Sequence, residues 1–234
     1  MIHYYEHMSP AEIDALRLSL SIGLRSVIFS LPLAIAVAWL LVRPRFPGRV
    51  LFDALVHLPL VLPPVMVGYL LLLLLGARGP LGHWLAVHFG VHLPFTTTGA
   101  AIATAVMTFP LMVRAVRLAL EGMDGRLLDM ARTLGARPMD RFFRVMVPLI
   151  APGILAGAVT AYVASLGEFG AVITFAGNVP GETQTLPIAL YAALQSPDGD
   201  ATATRLAALS LALGAGGLLA AEWLNRSIRK RLRG

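Results

Sequence analysis

The stretch LLDMARTLGARPMDRFFRVMVP, residues 127–148, is a basic amphipathic island between two segments too apolar for a water-soluble domain. In its first half Leu127, Met130, Ala131 and Leu134 recur at helical spacing and share one face. Gly135 follows the last periodic residue, where a glycine takes the left-handed cap conformation cheaply, so the helix stops there. Pro138 stands where a second helix can start. Met139, Phe142, Phe143 and Met146 continue the apolar pattern, with Arg141 and Arg144 turned away. The reading is a helix–turn–helix with one apolar stripe, held next to a membrane. A stripe of this kind needs a groove, in a partner protein or in lipid.

Outward from the island the composition is that of a membrane protein. Of 234 residues 57% are hydrophobic and 14% charged, and the mean hydropathy is +0.74, far from the soluble average. The apolar residues fall in blocks long enough to cross a bilayer, about 20 residues each. With no cysteine the chain forms no disulfide and no thiolate metal site. The net charge of +6 could suggest nucleic acid, but the basic residues lie between and after apolar blocks, so we expect no nucleic-acid partner.

Five spans are expected, at about 18–42, 50–76, 98–120, 149–176 and 206–224, with a cytoplasmic loop at 121–148, all in a single transmembrane domain 1–234. The polar start, with Glu6, Glu12 and Asp14, precedes the first span. Small-residue runs in that span resemble cleavage sites, but its basic residues follow the apolar run, which reads as a retained helix. The second span carries Pro59, Pro63 and Pro64, which remove backbone donors and bend it. That bend is either a mobile kink near a permeation path, with Pro63 and Pro64 as pathway candidates, or a fixed structural feature. Residues 77–97 read as an outside loop whose His83, His88 and His92 lack metal-ligand spacing. In the loop after the fourth span, Leu186 to Leu194 is apolar enough to dip into the outer leaflet.

The basic residues orient the chain. The segments after spans one, three and five hold three (Arg43, Arg45, Arg49), seven (Arg114, Arg117, Arg126, Arg132, Arg137, Arg141, Arg144) and five (Arg226, Arg229, Lys230, Arg231, Arg233) of the 19 Lys and Arg residues. The other four are Arg17, Arg25, Arg78 and Arg205. The positive-inside rule then puts the N-terminus outside, and the C-terminus and the island inside.

Glu168, in SLGEFGAV, lies within an apolar block, where an ionisable group must be paired, neutral or facing water. It lines or gates a path, or it is a hydrogen-bonding strut between helices; the loosening glycines Gly167 and Gly170 favour the path. No GxxxxGK[ST] loop occurs and the one lysine is Lys230, so the chain cannot hold a nucleotide in the P-loop manner. No Ser/His/Asp set or metal cluster suggests an enzyme. Active transport would need energy from another subunit or an ion gradient.

The island also carries a family resemblance. Importer permeases of the ATP-binding-cassette (ABC) type share a loop reading Glu-Ala-Ala, three residues, Gly, nine residues, Ile, one residue, Leu-Pro. Here Asp129, Met130 and Ala131 are followed by three residues, Gly135, nine residues, Val145, Met146, Val147 and Pro148. HLPLVLPPVMVGYLLLLLLG (57–76) and SLGEFGAVITFAGNVPGETQTLPIALY (165–191) resemble the molybdate branch of the sulfate/molybdate/tungstate permease group, from about residue 16 onward.

The resemblance implies an all-α type I ABC importer permease fold in the bacterial inner membrane. It implies a homodimer of permeases, two cytoplasmic ABC ATPase subunits that hold the ATP and Mg, and a periplasmic molybdate-binding protein. The chain itself would bind no cofactor or metal and catalyse no reaction. Asp129, Ala131, Arg132, Gly135, Phe142, Phe143, Val147 and Pro148 are the expected ATPase-coupling residues, and Gly167, Glu168, Gly170, Pro63 and Pro64 the pathway candidates. A sulfate or tungstate permease of the same group, or an ion-gradient-driven anion carrier, is the alternative.

Overall fold

The computed structural model describes residues 8–42 and 47–233, apart from the side chains at 128, 224, 225 and 227–233. Glu6, Arg43 and Arg45 of the sequence reading, and the side chains of Arg229, Lys230, Arg231 and Arg233, lie outside the described residues. The described chain is helical throughout: α1 (Pro10–Val42), α2 (Arg49–His57) running into a 3₁₀ turn (Leu58–Leu60), α3 (Pro64–Leu75), α4 (Pro80–Phe89), α5 (Thr97–Glu121), α6 (Gly125–Thr133), α7 (Pro138–Asp140), a π-helical segment (Arg141–Met146), α8 (Val147–Leu166), α9 (Gly170–Phe175), α10 (Leu186–Leu194) and α11 (Asp200–Arg233).

Local chemistry sets the ends of the long helices. A capping box opens α1: the Ser9 N–H donates to Glu12 Oε2 at 2.7 Å and the Glu12 N–H to Ser9 Oγ at 3.3 Å. α5 starts on Thr96, whose Oγ1 accepts from the Gly99 N–H at 3.0 Å. Four helical runs are long and apolar enough to cross a membrane: Pro10–Val42, Thr97–Glu121, Pro138–Leu166 and Asp200–Trp223. A fifth span arises if α2 with its 3₁₀ turn and α3 are one crossing, bent by 112°. Pro63 and Pro64 lack the donors that would carry the ladder across that bend.

α1, α5 and α8 form the centre. Val27, Ala34, Ala38 and Leu41 of α1 pack with Met112, Val113 and Val116 of α5 and Ile150 and Ala161 of α8. Small residues let these backbones approach: a Cβ on Gly157 would meet Ala115 Cβ at 2.9 Å, and one on Gly153 would collide with Ala119. The seam is therefore a small-xxx-small pair, Gly153/Gly157 against Ala115/Ala119, the close packing used where lipid supplies no hydrophobic drive. A second cluster joins Val67 and Leu71 of α3 to Ala171, Val172 and Phe175 of α9 and Ala100 and Ala103 of α5. α11 packs on α8 and α10 but leaves Leu211, Leu218, Leu219 and Trp223 exposed.

Three expectations change. The fourth span, read as 149–176, ends at Leu166; the chain breaks at Gly167–Phe169 and resumes as the six-residue α9. The glycines that loosen the segment interrupt it. The second span, read as one bent helix, is two half-helices at more than a right angle. The region 77–97 is not loop throughout, since Pro80–Phe89 is a helix with His88 Nδ1 2.9 Å from the Trp84 carbonyl.

Candidate functional site

Two regions gather the sequence-derived candidates. The first is the island. α6 begins on Asp124, whose Oδ1 accepts from the Arg126 N–H at 3.0 Å. It ends in a Schellman motif, the Gly135 N–H donating to the Arg132 carbonyl and the Ala136 N–H to the Ala131 carbonyl, both at 3.0 Å. Gly135 has φ +82°, the left-handed value its position predicts. Pro138 opens the next helical run, and Arg137 before it is extended, as a residue preceding proline must be.

The apolar residues of the island do not all face one way. Phe142 and Met146 turn inward onto the cluster of Val116, Leu120 and Met123. Met139 and Phe143 stay exposed, as do Leu127, Met130 and Leu134, the last at 86%. The single stripe expected from sequence is thus split. Phe142 packs against the bundle while Phe143, one residue on, faces out; their rings meet edge to face at 4.9 Å. Phe142 anchors the turn, and the remaining five form an apolar surface that the described chain does not cover. Asp129 and Arg132 are exposed beside it, Ala131 and Val147 half-buried, and Pro148 exposed at the start of α8. Arg144 is exposed and 3.6 Å from Asp140, whereas Arg141 is half-buried rather than turned away.

The second region is where the two interrupted spans cross. A Cβ on Gly170 would stand 2.7 Å from Pro64 Cβ and 3.1 Å from the Val65 nitrogen. One turn further along α3, a Cβ on Gly68 would stand 2.7 Å from the Ala171 carbonyl oxygen and 2.8 Å from Thr174 Cβ. Pro64 and Gly170 are therefore brought together. Pro63 is the exposed residue before α3, and Gly167 the exposed residue after α8. Half-buried Glu168 accepts from the Ala171 N–H through Oε1 at 2.9 Å. That bond stays within its own turn and caps α9, so it is not the helix-to-helix strut weighed from sequence. Phe169 packs its ring on Tyr191 of α10 at 5.1 Å, which anchors the break.

Other contacts had weaker signals. Glu12, only 2% exposed, completes its capping box and also accepts from Arg205 Nε at 2.9 Å, tying the start of α1 to α11. Its capping box was legible as Ser9-x-x-Glu12, and Arg205 as a basic residue off the inside count. Ser19 Oγ accepts from the Leu186 N–H at 2.7 Å, pinning α10 to α1. Arg117 donates to Asp53 and to Glu121, each at 2.8 Å, and so clamps α2 to α5. Nothing in the sequence pairs Asp53 with Arg117.

Residues 30–230 match the family model of the binding-protein-dependent transport system inner membrane component. The molybdenum transport system permease protein ModB of Escherichia coli K12 is 53% identical over 96% of this chain and 98% of its own. That of Haemophilus influenzae is 48% identical over 94% and 96%, and the E. coli sulfate transport system permease protein CysT 36% over 90% and 77%. Among solved structures, a chain of the bacterial alginate ABC transporter aligns with TM-score 0.74 at 20% identity, over 94% of this chain and 80% of that one. A chain of the MetNI methionine ABC transporter aligns with TM-score 0.70 at 19%, over 94% and 99%. The chain has the fold of ABC importer permeases and belongs to the binding-protein-dependent transport system inner membrane component family.

Proposed function

We propose that this chain is the permease subunit of an ATP-driven importer that carries molybdate across the inner membrane by alternating access. The observation that carries the reading is 53% identity, over nearly the whole of both chains, to a molybdenum transport permease. A homodimer forms the pathway, because five spans make a poor closed conduit alone. Two ABC ATPase subunits, which hold the ATP and Mg, take the exposed surface of Leu127, Met130, Leu134, Met139 and Phe143 into their grooves. This chain hydrolyses nothing. The basic count supports a cytoplasmic island and an outside N-terminus, and a molybdate-loaded binding protein docks on the outer side.

In this account Asp129 and Arg132 flank the docking surface, Gly135 sets the angle between its two helices, and Phe142, Val147 and Pro148 pass movement into α8. The α3/α9 crossing, with Pro63, Pro64, Gly167, Glu168 and Gly170, lies beside the path. It can change shape where the ladder is already interrupted, at a lower cost than breaking a continuous helix. A sulfate permease is the second reading, supported by the 36% identical sulfate relative. The test reconstitutes the permease with its ATPase in lipid discs and adds binding protein loaded with molybdate, tungstate or sulfate. ATP hydrolysis stimulated by the molybdate form and not by the sulfate form is the expected result. Stimulation by sulfate moves the substrate to the second reading, and failure of any ATPase to associate rejects the coupled importer.

A further inference from the structure

A groove between α1 and α5 takes no part in the docking surface or the crossing. Arg25 of α1 stands near Thr98 at the start of α5, and both line a cavity of about 480 Å³ whose apolar walls are Phe29, Ala101, Ile102 and Ala105. Ser26 is also there, but its hydroxyl is committed to the Gly23 carbonyl at 2.7 Å. Among the described residues neither Arg25 nor Thr98 has a side-chain hydrogen bond or ion pair. Ala105 also lines a second trough of about 380 Å³, continued by Leu33, Leu55, Val56 and Phe109. No acidic residue lines either one. The two cavities thus adjoin at Ala105, with a cation and a free hydroxyl in the first and mainly apolar walls in the second.

Depth fits the same picture. Arg25 shares its cavity with Thr98, in the first turn of the spanning helix α5, so it stands near the end of that span rather than at its middle. An arginine in a spanning helix with no acidic partner among the described residues is suited to take an anion from outside the chain. We propose that this groove binds a phospholipid with an anionic headgroup. The phosphate accepts from the Arg25 guanidinium and the Thr98 hydroxyl, and one acyl chain lies past Phe29 and Ala105 into the second trough. A free oxyanion has no use for that apolar length, and one cation with one hydroxyl replaces little of its hydration. The inference does not depend on which substrate is carried.

The test is native mass spectrometry of the full-length permease with its partners, in detergent micelles doped with phosphatidylglycerol or phosphatidylcholine. Wild type is expected to retain one phosphatidylglycerol per chain in preference to phosphatidylcholine. Arg25→Gln weakens phosphatidylglycerol at least about tenfold, the scale of one charge-assisted hydrogen bond, and leaves phosphatidylcholine unchanged; Arg25→Lys restores most of the preference. Ala105→Phe fills the trough with the charge intact and lowers retention of both lipids. Unchanged retention in Arg25→Gln and Ala105→Phe overturns the proposal. So does loss in Arg25→Gln with none in Ala105→Phe, which is surface attraction without a groove. Displacement of the lipid by inorganic phosphate or molybdate also overturns it, since the site then belongs to a free anion. Should Arg25→Gln fail to assemble, Ala105→Phe and the anion competition decide.

Discussion

The docking turn and the α3/α9 crossing both depend on glycine, for opposite reasons. Gly135 has a positive φ and open space where a Cβ would go. Gly68 and Gly170 meet backbone or proline atoms within 3 Å of that point. At the turn the side chain is absent so that the backbone can take a conformation; at the crossing it is absent so that two helices can touch. The same contrast runs through the neighbours. Around Gly135 the apolar residues are exposed, and around Gly68 and Gly170 they include Val67, Val172 and Phe175, all buried. One region leaves its apolar residues exposed and the other is finished within the chain.

Substitutions at these glycines and their neighbours test that contrast. The largest effect is expected at the crossing. Gly170→Val or Gly68→Val must push α3 from α9, an overpacking of about 1–3 kcal/mol or more, read as loss of monodisperse protein and a lower unfolding midpoint in detergent. A wild-type midpoint would show that the crossing is looser than described. Next comes Gly135→Val. The left-handed conformation costs an L-residue roughly 1–2 kcal/mol, with more for a branched Cβ, so the protein stays folded in the membrane but captures its ATPase poorly. Gly135→Asn, which tolerates this conformation, should recover most of the capture; equal failure of both variants would mean that the side chain obstructs the partner directly.

Smaller still is Leu134→Ser. On an exposed site its effect on stability should fall within about 0.5 kcal/mol, while ATPase association drops, and normal association would remove this residue from the docking surface. Glu168→Gln should change stability least, because the amide oxygen can accept the same Ala171 N–H. Assembly is retained and uptake altered, whereas loss of the folded dimer would make Glu168 purely structural.

Much of this was legible in the sequence, and the parts that were not have physical reasons. The turn was readable because its signals are local: a periodic face, a glycine one step past it, a proline at the next start. The apolar blocks fixed the helical class for the same reason. What composition could not say is where an apolar block stops being one helix. Gly167, Glu168 and Gly170 announced looseness, but the break became fixed only because Gly170 lies on Pro64, about a hundred residues earlier. Likewise the ion pair of Glu12 with Arg205 and the clamp of Asp53 by Arg117 are long-range contacts with no periodicity to betray them. Phe142 and Phe143 show the limit at finest scale, where the pattern identified both as apolar but only packing decided which faces in.

The central claim is that the exposed surface of the docking turn is covered by an ATPase subunit. The chain contains no cysteine, so Leu134→Cys provides a single reporter, with Ala171→Cys as a buried reference. We would measure maleimide labelling of each in lipid discs, with and without the partner ATPase. The account predicts rapid labelling at position 134 in the permease alone, protection when the ATPase is added, and slow labelling at 171 in both. Undiminished labelling at 134 in a complex shown to contain the ATPase would contradict it.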